Sequence, residues 1–391
     1  MKEVDLSRWG LIAPNNDSGL GRMAQDLKTI LPIGRHLVAE SSNLPERPLV
    51  GPRETRFSST WTEAQLESEL RGFQGLIFFE NNSWHPLLLQ TARRMKIRTV
   101  CIPMWEWFRG LSPQWLNCDY FACPNEMCLR VVRSYGYNNS ALVPWTLDLS
   151  RLPQRVVSGP ARHFVHNAGV VDPDDRKGTN QAIAAFAKTS HPEIHLTVRM
   201  QKEAGICTSD KRIKLWVGNL SDPYELYAEG DAFIQPSKLE GMGFMVLEAV
   251  ASGLPVITLD AAPMSEWVRQ SQMLARVRHF RYPAYSSAWI EHSHLSLPHL
   301  NDLSRKIIWA SENDLEAISR DNLAWTRQTF APDRLRETWA NTLDGVLRMP
   351  HSKEVATLPD PPSPCHSYPA RARNVLESLT GWRAPFLFPP I

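Results

Sequence analysis

The sequence of 391 residues predicts an α/β fold made of two doubly wound domains, each a parallel sheet with helices on both faces. Three observations carry that expectation. Short continuous apolar runs, the mark of strands buried on both sides, alternate with amphipathic segments of helical length. The alternation occurs twice, on either side of a turn-rich break between 149 and 162 that holds Leu152-Pro153-Gln154 and Ser158-Gly159-Pro160. The length also exceeds one ordinary core and suits two domains of about 150–200 residues.

In the first half, Trp9 to Ala13 reads as a strand and Gly21 to Leu31 as a helix. Gly75 to Phe79 is a strand, His85 to Met95 a helix, and Arg98 to Pro103 a strand, with short strands at Tyr120–Ala122 and Ala141–Val143. After the break, His163 to Asn167 is a strand, Thr179 to Lys188 a helix, and Ile194–Val198 and Lys214–Val217 are strands. Ala232–Ile234, a helix from Phe244 to Ser252 and a strand at Leu254–Ile257 follow. One helix over Asp302–Arg327 and another over Pro332–Leu347 complete the pattern. The expected organisation is a first Rossmann-like domain at 1–150, a second at 151–331, a helix at 332–349 returning toward the first domain, and a Pro-rich tail at 350–391. That tail is either flexible or a packed strap.

Composition narrows the function. Hydrophobic residues make up 43% and charged residues 21%, which is globular, and the formal charge of +2 gives no strong drive toward nucleic acid or membrane surfaces. No apolar run reaches the ~18–20 residues of a membrane span. The polar start, Met1-Lys2-Glu3-Val4-Asp5, is unlike a signal peptide, so the expected location is cytoplasmic. Six scattered cysteines (101, 118, 123, 128, 207, 365) lack CxxC spacing and read as free thiols rather than a zinc site. Among 14 tryptophans, Trp84, Trp105, Trp107, Trp115 and Trp145 fall near loops, where aromatic faces stack on sugars or bases; core packing is the default for each.

The most informative stretch runs from Pro236 to Ala249: PSKLEGMGFMVLEA. A strand precedes it, Gly241 and Gly243 make a turn, and a helix follows. That layout aims backbone N–H groups at an anion. Glu240 and Glu248 stand eight residues apart, a little over two helical turns, so each can meet a different part of an extended ligand. Phosphates on the N–H groups and hydroxyls on the carboxylates suit a nucleotide-sugar. Arg176-Lys177-Gly178 adds two cations at a second helix start, where the helix dipole already favours an anion.

These segments resemble the E-x7-E signature of retaining glycosyltransferases with the GT-B fold, the glycosyl transferases group 1. The likeness is strong from Gly169 to Glu266 and thinner elsewhere. It implies two Rossmann-like doubly wound domains facing a central cleft, and transfer of a sugar from a nucleoside-diphosphate donor, a UDP-sugar foremost, to an acceptor hydroxyl. By resemblance, Glu240 lies near the donor sugar and phosphate, Gly241, Met242 and Gly243 offer N–H groups, and Glu248 binds the ribose hydroxyls. Lys177 matches the family's pyrophosphate lysine. Val170 stands after Gly169, where the family often has an arginine, and Arg176 is the substitute. Gly218 and Asn219, in the stretch Trp216 to Tyr227, match the loop that cups the base. Glu266 belongs to the loop closing that side.

In the first domain, Gly19 and Gly21 resemble the family's N-terminal Gly-rich loop, with Arg22 as an added cation. Glu80 to His85 and Trp105 to Arg109 are candidates for the acceptor. Where many relatives carry a His, this chain has Glu106, a base or hydroxyl contact or else a structural carboxylate. Pro144 to Asp148 lacks the family's Asn-Gly pair and marks only the boundary. No Asp-x-Asp metal motif sits in a matching place, the run Asp172-Pro173-Asp174-Asp175 reading as a surface loop, so the expectation is catalysis with no metal and no cofactor beyond the nucleotide-sugar co-substrate. The acceptor is a glycan, lipid or small molecule, with a modified base in DNA as an alternative; the basic run Arg93, Arg94, Lys96 and Arg98 is either a solvated helix end or a surface for an anionic acceptor such as nucleic acid or a lipid head group. A non-catalytic sugar-nucleotide-binding or scaffold protein is the further alternative.

Overall fold

The structure is a computed structural model that describes residues 5–350 apart from 17, 41–45, 81–83, 109, 111, 173–174 and 282–293. The described residues form two compact units, one running to Asp148 and resuming at Thr329, the other Leu149–Gln328.

The first unit opens with β1 (Trp9–Ala13), α1 (Gly19–Ile30), β2 (Arg35–Ala39), β3 (Glu54–Phe57), α2 (Glu63–Leu70) and β4 (Gly75–Phe79). It continues with α3 (Leu88–Arg94), β5 (Arg98–Ile102), β6 (Tyr120–Cys123), α4 (Glu126–Ser134) and β7 (Ser140–Leu142). Its strands form one parallel sheet in the order β3-β2-β1-β4-β5-β6-β7. Neighbouring residues of β4 fill opposite faces: Phe78 stacks on Trp115 at 6.3 Å while Phe79 meets Trp145 at 5.8 Å. A sheet filled on both sides explains why these strands read as unbroken apolar runs. Helix starts follow local chemistry. Ser18 caps α1, Thr62 and Gln65 form a capping box on α2, and Asn125 caps α4.

The second unit contains β8 (His163–Gly169), α5 (Thr179–Ala187), β9 (His195–Met200), β10 (Ile213–Val217), β11 (Ala232–Gln235), α6 (Phe244–Ala251) and β12 (Val256–Leu259). Then come β13 (Leu274–Ala275), β14 (Val277–Arg281), β15 (His294–Pro298), α7 (Leu300–Glu312) and α8 (Glu316–Thr329). Its parallel sheet has the order β10-β9-β8-β11-β12-β13, and β14 pairs antiparallel with β15. The last helix, α9 (Pro332–Arg348), belongs to the first unit, where Trp339 donates its indole N–H to the Pro144 carbonyl (3.3 Å) and Arg336 bonds the Ile30 carbonyl (3.2 Å).

The expected doubly wound α/β architecture is present in both units. Three details differ from the sequence reading. The sequence reading lacks β2, β3, α2, α4 and the strands β13 to β15; β2 and β3 are short and mix polar with apolar residues. The single helix expected over Asp302–Arg327 is two helices. Asp314 interrupts them, its carboxylate accepting N–H groups of Gly159 (2.7 Å) and Glu316 (3.0 Å). The strand expected from Leu254 begins at Val256, because Gly253 (φ 85°) and Pro255 first complete a turn. The tail beyond 350 and residues Asn81, Asn82, Ser83 and Arg109 lie outside the described residues.

Candidate active site

Each sheet has a topological switch point, where strand order reverses; in open α/β sheets ligands generally bind beyond the carboxyl ends of the two strands at such a point. In the second unit the reversal falls between β8 and β11. The loops leaving those two strands carry Arg176, Lys177 and Glu240.

Gly178 and Pro236 bring the loops together. Gly178 has φ of 71°, and a Cβ there would lie 2.2 Å from the Pro236 carbonyl oxygen, so only glycine permits the approach. The Lys238 N–H donates to the Arg176 carbonyl (2.8 Å), and the Lys238 carbonyl accepts the Ser296 N–H (2.9 Å). The result is a direct ion pair: Lys177 Nζ is 2.5 Å from Glu240 Oε1, and Arg176 Nη1 is 3.8 Å from Glu240 Oε2. Arg176 also approaches Asp172 at 3.9 Å. Burial alone would raise Glu240, yet Lys177 and then Arg176 outweigh it and hold its carboxyl below the ordinary range. Burial draws the Lys177 ammonium below the usual lysine range, with Glu240 opposing. At neutral pH the site is a charged pair with a second cation on the carboxylate.

The two helix starts differ. At α5 the expected anion site is already taken, because the Asp175 carboxylate accepts the N–H groups of Thr179 (2.7 Å) and Asn180 (2.9 Å). An incoming anion would meet Lys177 and Arg176 rather than the α5 amides. At α6 the cap is Gly243 (φ 69°), which brings no side-chain acceptor to the first turn. Met242 is anchored by the Trp267 indole N–H on its carbonyl (2.5 Å), and Gly241 and Gly243 are buried beside it. Glu248, in the middle of α6, has no exposed surface and accepts the Tyr227 hydroxyl at 2.5 Å. Gly218 donates its N–H to the Met200 carbonyl (2.9 Å) at the end of β10, and Asn219 is exposed. Glu266 lies in a short turn after β12, Met264–Glu266.

Sequence reasoning missed four residues here. Asp175 caps α5. Lys238 is a further buried cation in the β11 loop. Tyr227 holds Glu248. His166 is fully buried on β8, donating from Nδ1 to the Ile234 carbonyl (2.8 Å) and accepting the Thr179 hydroxyl at Nε2 (3.0 Å). Desolvation lowers His166 to about 4, so it is neutral. A His or Tyr inside an apolar run was the available signal, but its partners are set by tertiary structure.

The first unit's switch point lies between β1 and β4. Gly21 is pressed against Asn16, whose carbonyl oxygen would lie 2.1 Å from a Cβ, and its N–H is taken by the Ser18 hydroxyl (3.1 Å). Gly19 stands open. Arg22, one residue beyond Gly21, is half-buried on α1. His85 is committed to structure, contacting the Trp61 carbonyl and accepting the Leu87 N–H. Trp84 donates to the Phe79 carbonyl (2.9 Å). Glu106 is buried in the turn from Met104 to Trp107. Of the loop tryptophans, Trp105, Trp115 and Trp145 are core residues, and Trp107 is exposed at 38%. Three cations of the basic run are engaged inside the unit, and Lys96 is exposed. Arg93 bonds Asn117 (2.9 Å), Arg94 pairs with Glu63 and Glu67, and Arg98 pairs with Asp119 (3.1 Å) and bonds the Met349 carbonyl. Cys101, Cys118, Cys123 and Cys128 are buried free thiols and Cys207 an exposed one. No described helix is long and apolar enough to cross a membrane.

Comparison with known proteins agrees with this fold. Residues 168–277 match the family model for glycosyl transferases group 1. Sulfoquinovosyl transferase SQD2 of Arabidopsis thaliana is 42% identical over 48 residues, which are 12% of this chain and 9% of that protein's length. The apo lipopolysaccharide outer core galactosyltransferase WaaB superposes with a TM-score of 0.59 at 12% identity, over 86% of this chain and 99% of that one. An S. aureus TarM variant, solved with fondaparinux, alpha-GlcNAc-glycerol and UDP, gives 0.50 at 12% identity, over 72% and 59%. At such identities the likeness establishes the fold, two Rossmann-like α/β domains of the GT-B type. The family-model match lies wholly within the second unit, the one that carries Lys177, Glu240 and Glu248.

Proposed function

We propose that this protein transfers a sugar, with retention at the anomeric carbon, from a UDP-sugar to an acceptor hydroxyl on a glycan, lipid or small molecule. The single observation that carries the proposal is the pairing of Lys177 and Arg176 with Glu240 at the second unit's switch point. Two cations fixed there beside a Gly-capped helix start suit a diphosphate leaving group. The UDP bound by the TarM relative supports uridine as the base.

In the proposed reaction the bond between the anomeric carbon and the diphosphate oxygen breaks. The acceptor oxygen bonds to that carbon on the same face. The acceptor's proton passes to the departing phosphate oxygen. Lys177, Arg176 and the Gly241–Gly243 amides stabilise the charge that develops on the diphosphate. Glu240 orients Lys177 and faces the donor sugar, and Glu248 receives the ribose hydroxyls. Gly218 and Asn219 meet the base through backbone groups, and Gly19 and Glu106 serve the acceptor side. The cations take the charge-neutralising role themselves, so transfer continues in excess chelator.

A thermal-shift and hydrolysis screen against nucleotide-sugars tests this. One donor is expected to raise the melting temperature of the wild type, with the shift lost in Lys177→Ala and Glu248→Ala. Absence of any shift at millimolar donor overturns the reading.

A further inference from the structure

The hydroxyl of Tyr227 has a purpose that packing does not explain. Its ring is fully buried, edge-on to Phe233 at 5.9 Å and 66°, in a setting where phenylalanine would fill the same space. Phe233 pairs in register with Val165 of β8, so the ring lies over the strands that flank the switch point. The hydroxyl instead reaches the Glu248 carboxylate at 2.5 Å, a charge-assisted hydrogen bond between two sealed side chains.

The tyrosine is itself held firmly. It ends the short turn Pro223–Tyr227, which follows directly on the loop from Gly218 to Asp222. Asp222 caps that turn by accepting the Tyr224 N–H (2.9 Å). Arg151 lies over the Tyr224 ring at 4.5 Å, and Arg199 donates to the Leu226 carbonyl (2.8 Å). A turn fixed from three directions fixes the hydroxyl, and the hydroxyl fixes one carboxylate oxygen.

We propose that Tyr227 is the positioning residue for Glu248, aiming the carboxylate at the ribose and linking it to the loop at Gly218 and Asn219. This rests on the reading of Glu248 as the ribose ligand. Glu248 has no exposed surface, so a ribose reaches it only when neighbouring atoms yield. A carboxylate held by Tyr227 keeps its orientation through that step, which lowers the cost of binding.

The test uses the full chain and measures affinity for UDP, GDP and ADP and for their 2′-deoxy counterparts, by calorimetry, in wild type, Tyr227→Phe and Glu248→Gln. Wild type is expected to prefer one ribonucleotide over its 2′-deoxy form by roughly tenfold or more. Tyr227→Phe should remove most of that preference while the 2′-deoxy affinity stays nearly constant. A merely structural hydroxyl would lower the melting temperature and weaken both nucleotides equally, and that result overturns the inference. So does full ribose preference in Tyr227→Phe alongside its loss in Glu248→Gln, which leaves the donor-site reading standing. If wild type binds none of the nucleotides, or binds without ribose preference, the ribose role of Glu248 falls and the role of Tyr227 with it.

Discussion

The two units share a parallel-sheet plan and each has a switch point, but they spend their polar residues differently. In the first unit, His85, Trp84 and Gly21 are consumed locally by backbone groups and close packing, and Arg93, Arg94 and Arg98 are tied to Asn117, to Glu63 and Glu67, and to Asp119. In the second, a buried carboxylate is gripped by two cations from a different loop, and a second buried carboxylate by a tyrosine. Topology supplies a switch point in both. The second unit's buried ion pair carries a desolvation cost that packing alone does not require.

The comparison breaks most visibly at Lys177. Lys177→Met leaves Glu240 buried without its closest partner, so catalytic turnover should fall at least a hundredfold and stability by about 3 kcal/mol. Product formation and a denaturation curve check both. An equal loss from His85→Gln in the first unit would erase the distinction drawn between the units. Next is Gly178→Ala, which forces a Cβ against the Pro236 carbonyl in a left-handed backbone. It should cost roughly 2–4 kcal/mol by chemical denaturation and loosen the Lys177–Glu240 pair with it. Gly19→Ala, at an open glycine, should be nearly silent in stability.

A smaller effect concerns pH and applies to both units. His36 in the first and His166 in the second are each lowered to about 4, chiefly by burial. The unfolded chain takes a proton at each near 6.5, so the unfolded state binds the extra protons. Stability therefore falls as pH drops from 6.5 toward 4. Replacing His166 by Gln, which can still donate to the Ile234 carbonyl, should recover about 2 kcal/mol of that fall, read as urea midpoints at pH 7 and pH 5. The Glu240 contribution is lost as pH falls from the ordinary carboxylate value toward its depressed folded-state value. On the alkaline side, donor binding should weaken before an ordinary lysine titrates, since Lys177 loses its proton early. The smallest effect is expected at Arg94, whose ion pairs to Glu63 and Glu67 are solvent-exposed; Arg94→Ala should leave the unfolding midpoint unchanged within error.

Much of this was legible in the residues. Strands buried on both faces announce themselves as apolar runs, and the PSKLEGMGF stretch joins glycine turns to carboxylates at a strand end. Other features were hidden because their cause is long-range. The Asp175 cap on α5 turned an expected amide site for the anion into an occupied one. The Tyr227–Glu248 bond joins positions 21 residues apart. His85 and Trp115 carry the side chains expected of binding residues, yet the fold uses them as struts, and nothing local distinguishes a strut from a ligand. Short strands such as β3, with half-exposed polar residues, lack the apolar run that betrays a central strand.

The central claim is that the donor diphosphate binds where the loops after β8 and β11 converge. Hydrogen–deuterium exchange of the full chain, with and without the donor found in the nucleotide-sugar screen, tests it directly. Slower exchange is predicted at 176–178 and at the amides of 241–245, both diminished in Lys177→Met. Unchanged exchange in those two segments while donor is demonstrably bound elsewhere would contradict the account.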